Sequence, residues 1–115
     1  RNWQKNWGGE LGLYNNESSE KPGNLIKEII PLFNRAIIFD VTANSWHGLP
    51  YEINCPEGIT RNSLAGYYLQ EFDSKADPNR LKARFYASPW QKNDKKIKEL
   101  INKRSNLNTS SDVYQ

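Results

Sequence analysis

Gly8-Gly9-Glu10-Leu11-Gly12-Leu13-Tyr14 places a turn signal directly before an alternating segment, and this reading decides the fold class. Successive side chains of a β-strand point to opposite faces. Leu11 and Leu13 therefore share one face, and Glu10, Gly12 and Tyr14 the other. Residues 15–24 are dense in Asn, Ser, Glu, Pro and Gly and read as a loop. Residues 25–30 form a second strand, closed by Pro31. Residues 35–41 are nearly all apolar, the pattern of a strand buried on both faces.

Further along, residues 45–49 read as a short strand, 50–60 as a connection, 61–72 as a long strand and 82–87 as a last one. On the long strand, alternation gives Arg61, Ser63, Ala65 and Tyr67 a common face. Ile97, Leu100 and Ile101 recur at helical spacing, so residues 94–103 form an amphipathic helix. Short strands separated by turns, with one helix at the end, make a mainly β chain: a double-sheet antiparallel barrel of the jelly-roll type, or part of one. The organisation is a β core over residues 1–90, a C-terminal helix over 91–104 and a polar tail over 105–115.

The chain has 115 residues, one domain or part of one. Its mean hydropathy of −0.86 is low, but four Trp and six Tyr keep it on the globular side of disorder. No long apolar run or signal peptide is present, which argues against a membrane span or secretion. A single cysteine, Cys55, excludes an internal disulfide and fits a reducing cytoplasm, where it is read as structural. The chain starts at Arg1 and contains no methionine, so further residues are expected upstream. A net charge of +3 comes largely from residues 92–104, where six Lys/Arg face Asp94 and Glu99. Such a face is ordinarily solvated, and only Trp90 lies near it, so a nucleic-acid partner is disfavoured.

Chemistry concentrates at His47, the only histidine, and at Arg61-x-Ser63. Taken alone, His47 beside Trp46 reads as readily as a packed residue, and Arg61 as a solvent-facing strand arginine. Together they suggest more. A planar guanidinium can grip a carboxylate with two parallel bonds, which lysine cannot copy. A hydroxyl two residues on would project from the same strand face.

Six blocks then fall in order: Gly8-Gly9-Glu10-Leu11, Ile30-Pro31-x-Phe33-Asn34-Arg35, Ile38-Phe39, Ser45-x-His47-Gly48, Asn54-Cys55-Pro56-Glu57-Gly58-x-Thr60-Arg61-x-Ser63-Leu64-Ala65, and Tyr67-Tyr68. Over residues 3–69 the chain resembles the C-terminal part of the prolyl 4-hydroxylase-like 2-oxoglutarate/Fe(II) dioxygenases. The resemblance implies a double-stranded β-helix and a hydroxylase using Fe(II) and 2-oxoglutarate, with ascorbate a candidate auxiliary reductant. His47 would be the distal iron ligand. Arg61 would clamp the distal carboxylate of 2-oxoglutarate, with Ser63 in support. Gly8 and Gly9 would form the turn leading into a strand. Trp46, Tyr51 and Tyr67 are candidates for the substrate mouth.

One departure matters. The family's His-x-Asp pair, which supplies the other two iron ligands, lies upstream of the Gly-Gly-Glu-Leu block, and the seven residues before that block here include neither His nor Asp. Asp40 and Glu10 are the nearest acidic groups, but Asp40 would end a strand and Glu10 would pair with a basic neighbour. The chain as it stands is therefore expected to be inactive, as the cosubstrate half of an enzyme whose substrate is a peptide or a small molecule. The alternatives are a non-catalytic jelly-roll module that binds a sugar or a protein partner, and a nucleic-acid-binding piece using the basic helix. A sheet missing its covering elements would expose edges and apolar faces, so a homo-oligomer is expected.

Overall fold

The computed structural model describes residues 3–42, 44–68 and 83–105. Its centre is a three-stranded antiparallel sheet in the order β2-β1-β3, formed by β1 (Leu11–Tyr14), β2 (Leu25–Ile29) and β3 (His47–Gly48). β1 pairs with β2 in the register Leu11↔Ile29, Gly12↔Glu28, Leu13↔Lys27 and, after a bulge, Tyr14↔Leu25. On its other edge β1 meets β3 through Gly12↔Gly48 and Leu13↔His47.

The loop of residues 15–24 closes on itself. The Asn15 amide donates to the Asn24 carbonyl at 3.0 Å, and the Asn24 amide donates back to Asn15 Oδ1 at 2.8 Å. Asn side chains favour such local bonds, which is why they punctuate turns. The segment before β3 is anchored to this loop, since Asn44 Nδ2 donates to the Asn16 carbonyl at 2.9 Å and Trp46 Nε1 to the Ser18 carbonyl at 2.8 Å.

At the start of the chain a 3-10 turn, Lys5–Trp7, stacks Trp3 edge-on against Trp7 with centroids 5.3 Å apart. Trp3 Nε1 donates to the Gly8 carbonyl at 2.7 Å, and the Asn54 amide to the Trp7 carbonyl at 2.8 Å. Gly8 and Gly9 both take positive φ, so the double glycine is a turn into β1, as its position suggested.

The C-terminal helix α1 (Lys95–Ser105) lies within two residues of the 94–103 read from helical spacing and starts four residues after the start of the 91–104 segment. Asp94 caps it, accepting from the Lys96 amide at 2.8 Å and the Ile97 amide at 3.4 Å. Arg104 lies over the Phe85 ring, 4.9 Å from its centroid, and ties the last turn back to the chain. No described helix is long and apolar enough to cross a membrane.

Three expected strands do not form within the described residues. Residues 35–41, read as doubly buried, lie outside any ladder, with Ile38 86% exposed. Residues 61–68 and 83–87 also carry no strand pairing, while positions 69–72 and 82 of those two readings lie outside the described residues. Asp40 consequently ends no strand. The physical reason is the same in each case. An apolar or alternating run can become a strand only where a neighbouring backbone supplies N–H and C=O partners, and among the described residues none pairs with these runs. What stands is a mainly β chain with a three-stranded antiparallel sheet and one C-terminal helix.

Candidate functional site

Register assigns the candidate residues to two faces. Because His47 pairs with Leu13, its side chain belongs to the face of Leu11, Leu13, Lys27 and Ile29. The His47 imidazole packs edge-on against Phe39, with centroids 4.8 Å apart. Although the residue as a whole is exposed, this burial pushes the imidazole pKa below its ordinary value, because desolvation disfavours the charged form. The shift favours the neutral form, the one in which imidazole binds metal.

Arg61 is half-buried, and its Nε donates to the Gly9 carbonyl at 2.7 Å across 52 positions of sequence. The Gly9 Cα leaves space for this approach, since a Cβ there would stand 3.0 Å from Arg61 Cδ and 3.3 Å from the Trp3 ring. The double glycine thus sets the arginine stem, a packing role that spacing alone did not reveal. One of the five guanidinium N–H groups is used, so the terminal edge keeps donors for a bidentate contact. Ser63 is exposed two residues on.

Of the three substrate-mouth candidates, Tyr67 is 79% exposed. Trp46 and Tyr51 belong to the face opposite His47. The Tyr14 amide donates to the Trp46 carbonyl at 3.0 Å, which aligns Trp46 with Tyr14. The Trp46 ring lies edge-on to Tyr86 at 6.4 Å. The Tyr51 hydroxyl donates to the Glu28 carboxylate, and this bond, with burial and the neighbouring negative charges of Glu28 and Glu10, raises the Tyr51 pKa.

Glu10 departs from expectation. It is only 3% exposed, and among the described residues its Oε2 has no hydrogen-bond partner. It lines a cleft of about 440 Å³ with Lys5, Asn6, Gly8, Glu28, Tyr51, Glu52 and Asn54. The sequence carried one signal for it: a carboxylate directly after Gly-Gly, on the Tyr14 side of an alternating strand. Cys55 fits its structural reading, its thiol donating to the Ile59 carbonyl at 3.1 Å.

Among the described residues no group of three or more His, Cys, Asp or Glu side chains is placed to hold a metal ion. His47 contributes at most one ligand of such a set, and the described residues by themselves do not fit an iron centre.

Comparison with known proteins puts these placements in context. Residues 1–69 match the family model described as the 2OG-Fe(II) oxygenase superfamily. The chain is 30% identical over 66 residues to the prolyl 3-hydroxylase OGFOD1 of Xenopus laevis, and 29% identical over 66 residues to that of Mus musculus. Each alignment covers 57% of this chain and 12% of the relative, so the chain spans about an eighth of the length of the curated relatives it matches. No solved structure matches. The matched span holds the double glycine, His47, Arg61 and Ser63, and on that span the chain belongs to the 2OG-Fe(II) oxygenase superfamily, whose members in general use Fe(II) and 2-oxoglutarate.

Proposed function

We propose that this chain supplies the cosubstrate half of a 2-oxoglutarate/Fe(II)-dependent hydroxylase of the prolyl-hydroxylase kind, built on a double-stranded β-helix. In this reading Arg61 receives the distal carboxylate of 2-oxoglutarate, Ser63 adds a hydroxyl to the same group, and His47 is the distal iron ligand. The remaining ligands come from outside the described residues. Tyr67, 79% exposed, is the first candidate for the substrate mouth. Trp46 and Tyr51, on the opposite face, are weaker ones. The substrate class proposed is a prolyl residue of a polypeptide, by analogy with the relatives named as prolyl 3-hydroxylases.

The observation that carries the reading is Arg61: a half-buried guanidinium, fixed through Nε to the Gly9 carbonyl, within the span that matches the family. Such tethering lowers the ordering cost of gripping a carboxylate. The absence of a metal-ready cluster among the described residues favours one alternative, a non-catalytic binding module for a sugar or a protein partner.

Titration calorimetry with 2-oxoglutarate separates the two. Charge-assisted bonds contribute about 1.5–3 kcal/mol, so Arg61→Lys should weaken 2-oxoglutarate at least tenfold while the protein stays folded. No measurable binding of 2-oxoglutarate, or equal binding by Arg61→Lys, would leave the module reading in its place.

A further inference from the structure

Arg61 takes its orientation from a carbonyl on the Gly8-Gly9 pair, through the 2.7 Å bond from its Nε to the Gly9 oxygen. Neither glycine carries a Cβ, and glycine has more of φ/ψ space open to it than any other residue. Two glycines in a row supply no rigidity of their own. A carbonyl on such a backbone can aim a guanidinium only if other groups hold the backbone still.

Trp3 holds it by two contacts. Its Nε1 donates to the Gly8 carbonyl at 2.7 Å, and because a peptide unit is planar, that bond fixes the whole Gly8–Gly9 plane. Only the two torsions of Gly9 then separate this plane from the carbonyl that Arg61 uses. The indole also borders Gly9 itself. A Cβ there would lie 3.0 Å from Arg61 Cδ, 3.3 Å from Trp3 Cζ2 and 3.4 Å from Ile53 Cγ1. Three side chains thus converge on the one space that glycine leaves empty, and the arginine stem is among them. Gly9 is buried while Trp3 and Arg61 are half-buried, so these contacts are partly withdrawn from water. Trp3 is braced in turn, its ring edge-on to Trp7 with centroids 5.3 Å apart. The segment that leads to Arg61 is tied to the same place, since the Asn54 amide donates to the Trp7 carbonyl at 2.8 Å.

We infer that Trp3 is a positioning residue for Arg61: its indole N–H sets the Gly8–Gly9 peptide, and through it the Gly9 carbonyl that aims the guanidinium. Trp3 touches no cosubstrate in this role. It acts by ordering the arginine before a carboxylate arrives, which lowers the cost of the grip. Its consequence for 2-oxoglutarate rests on the reading of Arg61 as the clamp, whereas the link from Trp3 to Arg61 stands on geometry alone.

The decisive variant is Trp3→Phe, which keeps an aromatic ring and removes the indole N–H. Proton exchange at the Arg61 Nε is followed by NMR, with the signal assigned by its absence in Arg61→Lys. Trp3→Phe should speed this exchange about tenfold and weaken 2-oxoglutarate about fivefold in calorimetry, the effect of one neutral hydrogen bond. Trp7→Phe disturbs the same aromatic pair but leaves the Gly8 bond, and it should do neither. Should Trp3→Phe not fold, the link is read in the opposite direction, because coupling between two sites is reciprocal: Arg61→Lys should speed exchange of the Trp3 indole proton. Unchanged Nε exchange in folded Trp3→Phe, an equal change in Trp7→Phe, or an indole proton indifferent to Arg61→Lys would overturn the inference. So would wild-type 2-oxoglutarate affinity in Trp3→Phe. If Trp3→Phe frees the Nε proton in a protein that never binds 2-oxoglutarate, the positioning of Arg61 by Trp3 is upheld and the cosubstrate reading falls.

Discussion

The imidazole of His47 is a single-residue experiment, because no other histidine contributes to its signal. Burial against Phe39 pushes its pKa below 6.5, so the folded state resists the proton more than the unfolded state does. The stabilising contribution is therefore present above the ordinary histidine pKa and is lost as pH falls toward the folded value. An NMR titration should show one imidazole titrating below the ordinary value, and Phe39→Ala should move it back upward by relieving the desolvation. A wild-type midpoint at or above the ordinary value would contradict the packing of ring on ring. At this scale the sequence was informative about identity but not about company. Arg61 stood out because a guanidinium near a lone histidine has few roles, whereas its Nε bond to Gly9 joins positions 52 apart and no local pattern encodes it.

At the scale of elements, Gly8 and Gly12 differ in why they must be glycine. Gly8 sits at φ 69°, ψ −156°, a region open essentially to glycine alone, and a Cβ there would run into the Glu52 backbone carbonyl. At Gly12 the backbone is ordinary, and a Cβ would stand 2.8 Å from the movable Leu25 Cδ1 and 3.1 Å from the Pro50 ring. Gly8→Ala should thus cost about 3 kcal/mol or more, adding strain to a backbone clash, and Gly12→Ala about 1 kcal/mol. Urea unfolding of the two variants checks the order, and equal midpoints would mean that the Gly8 turn relaxes freely. β1, β2 and α1 were legible from local signals: period two for β1, the loop before and Pro31 after for β2, and the 3.6 period with Asp94 at its start for α1. Residues 35–41 and 61–68 were misread for a reason of the same kind. Periodicity reports which side chains would share a buried face, but it does not say whether another backbone lies alongside to complete the ladder.

For the molecule as a whole, surface decides. No apolar side chain among the described residues is fully buried, and Phe33, Leu64 and Tyr68 are 93%, 102% and 97% exposed. Burying apolar area contributes about 25 cal/mol per Å², so a chain that leaves these side chains in water forgoes part of the term that opposes conformational entropy. A chain that buries less when folded exposes less on unfolding, and the urea dependence scales with that surface. The 115-residue chain on its own should therefore show a broad urea transition with a slope below about 1 kcal/mol/M, and it should bind a hydrophobic dye. The same bare side chains, beside a sheet of only three described strands, favour contact with a second copy. Sedimentation should show association rising with concentration over tens of micromolar, reduced by Leu64→Ser together with Tyr68→Ser. A sharp transition from a monomer that ignores the dye would instead mean that these apolar side chains pack within one chain, and the expected homo-oligomer would be wrong.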